Sequence, residues 1–457
     1  MNVTFLSDLL GTIAERGRSF IERREPRSPG AQRAATVIDL SEQLLSRRGE
    51  AAGVALASEI LSAFAGLTSG PRIAFYEALS HRFGSDKVKL DAALVAYQAA
   101  PGDVTAQGLH EAAEPRRQEL FRRLNLAPGG TQSLVTLRAD LLKAMAHRPD
   151  LAPVDRDLGH LFASWFNRGF LVVRRIDWTT PAHILEKIIR YEAVHAIRDW
   201  DDLRRRTEPS DRRCYAFFHP ALIDEPLIFV EVALTREIPA AIAPLLAAER
   251  KALPAKDATT AVFYSISNCQ EGLRGISFGN FLIKQVAEEL KKDLPGLSTF
   301  VTLSPVPGFA AWLDRARAAD GGGLSPEDRQ ALRLLDEEGW AQEPAKVEAL
   351  RKPLLAAAAA YFLRAKTKGG KPLDPVARFH LGNGARLERL DHLGDLSPKG
   401  LKQSHGLMVN YLYDLAQVER NHETFADTGT VVASSAVQRL LRHDFPSQGL
   451  PSPALAD

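Results

Sequence analysis

The chain has 457 residues, too many for one hydrophobic core, so two or three domains are expected, each large enough to stand without staples. Apolar residues make up 45% and charged residues 25%, which excludes a largely disordered chain. Lysine and arginine (58) nearly balance aspartate and glutamate (56), and the signs interleave, so neither bulk nucleic acid nor a membrane surface is an implied partner.

Residues 1–164 read as helix after helix. Gln32–Leu67 (long enough to split near Gly49), Pro71–Phe83, Lys87–Ala100, Pro115–Leu126 and Ser133–Ala146 carry Leu, Ala and Phe at three- and four-residue spacing. Breakers at Ser69-Gly70-Pro71, Pro101-Gly102-Asp103, Pro128-Gly129-Gly130 and Pro149–Pro153 separate them. This part is expected to be an all-helical bundle. From Phe170 the texture changes to β-branched and aromatic runs: Leu171–Ile176, Cys214–His219, Leu227–Leu234, Thr259–Ile266 and Thr299–Leu303. Helices are expected at Ala182–Ile197 and Phe278–Leu294, which makes residues 165–457 an α/β or α+β domain. A largely helical insertion near 307–366 holds Gly321-Gly322-Gly323 as a flexible joint. The cluster Arg204, Arg205, Arg206, Arg212 and Arg213 is interrupted by Glu208 and Asp211 and reads as a solvated loop, with a phosphate-handling role as the alternative.

Two cysteines, Cys214 and Cys269, are too few for a disulfide framework and lack zinc spacing, so a reducing compartment, the cytoplasm, is expected. The longest apolar run, Leu354–Leu363, is about half a membrane span. Asp8 interrupts any secretory start, and Ala454-Leu455-Ala456-Asp457 is not a peroxisomal signal.

Several common catalytic signatures are missing from the sequence. It holds no GxxxxGK[ST], no HExxH and no complete GxGxxG, since Gly382-Asn383-Gly384 stops short. Met1, Met145 and Met408 form no Met-Lys pair for biotin, and His392, His405 and His422 lack ligand-like spacing, so neither cofactor nor metal is expected.

Three stretches remain. The first is a strand, the loop Gln270–Asn280 and a helix, where Gly275 and Gly279 would let a diphosphate approach unpaired N–H groups. It resembles the pyrophosphate loop of GNAT-type acyltransferases with different glycine spacing, and a plain turn is the alternative. Gly275–Gly279 also fits GxSxG with Ser277 as nucleophile, although eight residues separate Ile266 from Gly275. The second is Thr302-Leu303-Ser304-Pro305-Val306-Pro307-Gly308-Phe309, where prolines end a strand and would fix Ser304 at its edge. The bland alternative is a proline-bounded loop whose serine bonds its neighbours. The third is Leu373–Ala385, where His380 precedes a glycine pair and could exchange a proton near neutral pH, although a lone histidine is more often a core or capping residue.

These stretches come in a fixed order with His219-Pro220-Ala221-Leu222, Glu225-Pro226-Leu227, Val232-Ala233-Leu234-Thr235, Lys399-Gly400-Leu401, Gln403-Ser404, Gly406-Leu407-Met408 and Asn410-Tyr411. Together they resemble the malonyl-CoA decarboxylase family over most of the chain after the bundle. The resemblance implies a helical N-terminal part that supports a homo-oligomer, dimer or tetramer, and a C-terminal GNAT-like domain. It implies conversion of malonyl-CoA to acetyl-CoA and CO2 through a thioester enolate, without a cofactor. Ser304 and His380 would carry the chemistry, and Arg274, Gly275, Ile276, Ser277, Phe278, Gly279 and Asn280 would bind the acyl-CoA. Arg274 and Ser277 stand where animal members have glutamine and glutamate, so the resemblance assigns the loop's role to its backbone. A GNAT-type acyl-CoA N-acyltransferase, a thioesterase using Ser277, and a non-enzymatic acyl-CoA sensor or scaffold are the competing readings.

Overall fold

The computed structural model describes residues 31–46, 49–278, 282–318 and 324–441. The expected joint Gly321–Gly323 lies outside the described residues, as do Gly279 and Asn280. The chain forms two compact units: one runs through Val172 and takes in 218–227 and 269–278, while the other holds 173–217, 228–268 and the chain from 279 onward.

The first unit is helical. Its helices are Ala31–Ser46, Glu50–Ala65, Ser69–His81, Lys87–Ala99, Asp103–Ala113, Arg116–Asn125, Gly130–Met145 and Ala152–Trp165. The periodic stretches are all present, and Gly49 precedes the second helix as expected. Periodicity missed Asp103–Ala113 and Ala152–Trp165. The latter carries Pro153 in its first turn, where a missing N–H costs nothing, so the proline-rich breaker is also a helix start. The core is built on rings such as Phe64, Phe75 and Tyr76, whose centroids lie 5.4 to 6.4 Å apart.

The second unit is a mixed sheet with helices, so the chain as a whole is α+β. Its strands are β1 (Val172–Ile176), β2 (Arg212–Phe218), β3 (Pro226–Thr235), β4 (Thr260–Asn268), β5 (Thr299–Thr302), β6 (Ser304–Pro305), β7 (Arg386–Asp391) and β8 (Met408–Leu412). They lie in the order β1-β2-β3-β4-β5-β8-β6, with β7 also paired to β8. β3 and β4 are antiparallel, while β4 and β5 are parallel and joined through the helix Leu282–Asp293. β5, β6 and β7 each run antiparallel to β8. The sequence reading did not foresee β7 or β8. Met408 through Tyr411 are all buried, so β8 lacks the alternation that marks a half-buried strand.

One detail of register creates the site. β4 and β5 pair only from Thr260–Thr299 to Phe263–Thr302, after which the Leu303 N–H donates to the Phe263 carbonyl at 3.0 Å. β4 continues to Asn268, but the other chain turns away as β6, pairs Ser304 with Val409, and carries Pro305, which has no N–H to give a ladder. A wedge therefore opens between the end of β4 and β6.

Two local expectations need correction. The helix expected over 182–197 stops at Tyr191, because the Glu192 carboxylate accepts the N–H groups of Val194 and His195, both at 2.8 Å, and bends the chain out of the helix. The arginine cluster is not a solvated loop throughout. Arg204–Arg206 lie on the helix Trp200–Thr207, and Arg206 is buried against Asp202 (3.4 Å) and Glu231 (3.2 Å), while Arg212 is buried on β2. Glu231 comes from another strand, which linear charge patterning could not anticipate. No helix among the described residues is long and apolar enough to cross a membrane.

Candidate active site

Ser304 and Thr302 stand two residues apart at the β5–β6 edge and so share a face. His380 rides on the helix Pro375–Gly382, which Asp374 begins: one Asp374 oxygen accepts the Ala377 N–H at 2.8 Å, the other the Tyr361 hydroxyl at 3.3 Å. Burial pushes the Asp374 carboxyl up to about 6. The helix ends at Gly382, and two residues on the chain turns at Gly384, whose φ of +81° and whose position 2.1 Å, measured from an added Cβ, from the Val418 carbonyl admit only glycine. That turn sends the chain into β7.

The side chains that the sequence singled out meet here. Ser304 Oγ lies 3.1 Å from His380 Nε2 and donates to Thr302 Oγ1 at 2.9 Å. His380 Nδ1 lies 2.8 Å from the Tyr413 hydroxyl, and the Tyr411 ring stacks on the imidazole with centroids 4.5 Å apart. Thr302 Oγ1 also accepts the Tyr411 N–H at 3.1 Å, tying β8 to β5 behind the pair. With the Ser304 proton given to Thr302, Nε2–H of His380 faces Ser304 Oγ and Nδ1 accepts the Tyr413 hydroxyl; in the other tautomer Nε2 accepts the serine hydroxyl only if Thr302 becomes the donor to Ser304. Either way one proton is shared between Ser304 and His380. Both are buried, and burial pushes the imidazole down to about 3, so it is neutral near pH 7.

The pair opens on a cleft of about 240 Å³ whose further walls include the apolar Val194, Phe263, Ile266, Val376 and Phe379. An anionic carboxylate entering it would exchange water for apolar walls, which favours its departure as an uncharged molecule. The hydroxyl and imidazole can meanwhile steady an oxyanion and give a proton.

The loop Arg274–Phe278 belongs to the helical unit. The Arg138 guanidinium donates to the carbonyls of Gly272 (2.8 Å) and Arg274 (3.0 Å). A Cβ on Gly272 would stand 1.9 Å from the Val135 carbonyl, so the backbone seats directly on the helix Gly130–Met145. Gly275 has φ +80° with open space around it; Arg274 and Ser277 are exposed, Ile276 is half-buried and Phe278 is buried. The nucleophile elbow is not formed: a 3-10 turn, Glu271–Leu273, separates β4 from Ser277, and the following helix is described only from Leu282.

Thr302, Tyr411, Tyr413 and Asp374 acquire roles that the sequence did not assign. Asp374 was legible as a helix start before Pro375. The i, i+2 spacing of Thr302 with Ser304, and of Tyr411 with Tyr413, is the strand-face signal that could have found the others once β8 was known.

Known proteins resemble the chain over most of its length. The family description "Malonyl-CoA decarboxylase C-terminal domain" matches residues 169–450, and "Malonyl-CoA decarboxylase N-terminal domain" matches residues 83–166. The mitochondrial malonyl-CoA decarboxylase of Anser anser anser is 36% identical over 415 residues, 83% of this chain and 82% of the relative. The crystal structure of malonyl-CoA decarboxylase from Rhodopseudomonas palustris shares 59% identity at a TM-score of 0.87, covering 91% of this chain and 100% of that one. The structure from Cupriavidus metallidurans shares 38% identity at a TM-score of 0.70, covering 90% of this chain and 100% of that one.

Proposed function

The chain belongs to the malonyl-CoA decarboxylase family, and from that premise we propose that it converts malonyl-CoA to acetyl-CoA and CO2 with Ser304 and His380 at the reacting group. The 3.1 Å contact between Ser304 Oγ and His380 Nε2 at the mouth of the β4–β6 wedge carries this reading. The free carboxylate of the malonyl thioester enters the cleft, the carbon–carboxylate bond breaks, and the electron pair remains as a thioester enolate. The pair hydrogen-bonds the developing charge and delivers one proton to carbon, which solvent later replaces. A neutral imidazole suits an incoming anion, because the substrate's negative charge raises the proton affinity of a group that is otherwise unprotonated. His380 is assigned as the donor to carbon, with Ser304 positioning the carboxylate or relaying the proton. Purified protein given malonyl-CoA should yield acetyl-CoA and CO2 in equal amounts; CoA released only with an amine acceptor present would indicate an N-acyltransferase instead.

The catalytic unit is read as GNAT-like, a reading supported by the parallel β4–β5 pair that splays after a few residues and by the loop and helix that join it. The loop Arg274–Asn280 is assigned to the CoA diphosphate through its backbone, since Gly275 leaves the approach open. Turnover is expected without added biotin, ATP or divalent metal, because the sequence carries no biotin motif, nucleotide loop or ligand-spaced cluster. Activity lost to a chelator and restored by zinc or magnesium would contradict this. The buried thiols Cys214 and Cys269 suit a reducing compartment, and we place the protein in the cytoplasm.

Self-association is assigned to the helical unit. The hairpin Lys87–Ala99 and Asp103–Ala113 buries none of its residues, and Val88, Val95 and Val104 are 79%, 64% and 86% exposed. Its two ends meet, with the Arg116 N–H donating to the Gly84 carbonyl at 3.1 Å, so a short Gly/Ser linker can replace it. That replacement is expected to lower the oligomeric state in sedimentation. A full-length monomer, or an unchanged oligomer after replacement, would contradict it.

A further inference from the structure

We propose that the segment 192–197 is the specificity wall of the cleft, and that Val194 limits the substituent tolerated at carbon 2 of the malonyl group, a role that rests on the chain being a decarboxylase.

The segment lies between the helices Ala182–Tyr191 and Trp200–Thr207 and has no regular structure of its own. Side chains take up its backbone groups instead. The Glu192 carboxylate accepts the N–H groups of Val194 and His195, each at 2.8 Å, and is itself held by the Ser265 hydroxyl at 2.7 and 2.9 Å. Lys399 Nζ donates to the carbonyls of Ala193 (2.9 Å) and Val194 (3.1 Å). Arg206 donates to the carbonyls of His195 (2.7 Å) and Ala196 (3.0 Å), and the Ala193 N–H donates to Ser267 Oγ at 3.3 Å. Surface segments ordinarily leave such groups to water, so anchors drawn from β4 and from two helices mark a segment whose position matters.

What the anchors place is Val194, half-buried, on the cleft that Ser304 and His380 share. At about 240 Å³ the cleft is smaller than the ~300–1,000 Å³ of sites that enclose drug-sized ligands, so it fits the acyl end of the thioester and little more. The other apolar walls stand on the sheet or on the helix that carries His380, so changing them would also move the reacting pair. Val194 is free of that constraint. Carbon 2 of a malonyl thioester carries two hydrogens, and a 2-methylmalonyl thioester puts one methyl there. Both follow the same balanced step: the bond to the carboxylate breaks, CO2 leaves, and one proton adds to carbon 2, giving acetyl-CoA or propionyl-CoA. One such carbon in an apolar pocket discriminates by roughly 10–200-fold.

The test uses the full-length protein and the ratio of kcat/KM for 2-methylmalonyl-CoA to that for malonyl-CoA, which cancels differences in the folded fraction. Val194→Ala is expected to raise this ratio by about tenfold or more, and Val194→Ile to lower it. Lys399→Met, which removes two anchors, is expected to raise it, whereas Lys399→Arg, which can still donate, is expected to hold it near the wild-type value. A ratio unmoved in both Val194 variants overturns the specificity role, and a ratio unmoved in Lys399→Met overturns the anchoring role. A wild-type protein that releases no CO2 from malonyl-CoA removes the decarboxylase reading itself, a different failure from an unmoved ratio.

Discussion

His380→Ala and Ser304→Ala are each expected to lose about a hundredfold to ten-thousandfold in kcat, roughly 3–5 kcal/mol of transition-state stabilisation, while acetyl-CoA binding changes little. The expectation follows from position. The pair sits where β4 and β5 part, both side chains are buried, and each has a second partner that fixes it: Thr302 for the serine, Tyr413 for the imidazole. Because they share one proton, the double variant should be little slower than the poorer single one, as for groups that act as a unit. Losses below about tenfold, or losses that multiply in the double variant, would dismantle the assignment. His380→Ala also leaves the Tyr413 hydroxyl without its partner, at a cost of about 1–3 kcal/mol, so thermal unfolding should accompany the kinetics. A purely structural histidine would show itself as lost folding or lost acetyl-CoA binding instead.

Arg206→Leu is expected to be the most damaging substitution away from the reacting group, destabilising the sheet unit by about 3–5 kcal/mol. The guanidinium is buried and meets Asp202, Glu231 and two carbonyls of the specificity wall at once, so its removal takes a partner from all four, although Asp202 keeps Arg205 at 3.5 Å and the Arg198 N–H at 3.2 Å. Burial, aided by the nearby Glu192 carboxylate, pushes Glu231 up from its ordinary 4.5 to about 8, even though Arg206 pulls the other way. A carboxyl raised on folding binds its proton more tightly in the native state. Its contribution is therefore greatest below the unfolded value and is lost as pH rises from about 4.5 to about 8. Glu231→Gln should flatten that part of the stability–pH curve, and adding Glu231→Leu to Arg206→Leu should recover part of the loss. Denaturant midpoints followed by a sheet-unit probe measure both. A shift in Arg206→Leu worth less than about 1 kcal/mol would show the cluster to be solvated after all.

The sequence was most legible where a local rule decides structure. Helical periodicity located most of the bundle, and β-branched runs located five strands, since in both cases the pattern of apolar residues reflects which face is buried. Ser304 and His380 were legible through their proline and glycine surroundings and through family likeness. What holds them was not. Tyr413 lies beyond every stretch singled out, and it reaches His380 only because β8 inserts between β5 and β6, a pairing of segments about a hundred residues apart in sequence, which spacing does not encode. Arg206 failed in the same way. Its neighbours Glu208 and Asp211 suggested a solvated run, whereas its burial depends on Glu231 from β3 and on the chain leaving the helix at Glu192. Long-range partners of buried charges are set by topology, and topology was the level the residues did not reveal.

Malonyl-CoA labelled with 13C in its free carboxylate tests the central claim most directly, when given to the wild-type protein and to the Ser304→Ala/His380→Ala double variant. The expected result is labelled CO2 and unlabelled acetyl-CoA in equal amounts from the wild type, released at least about a hundredfold more slowly by the double variant. Labelled malonate with free CoA, or labelled CO2 from the double variant at the wild-type rate, would contradict it.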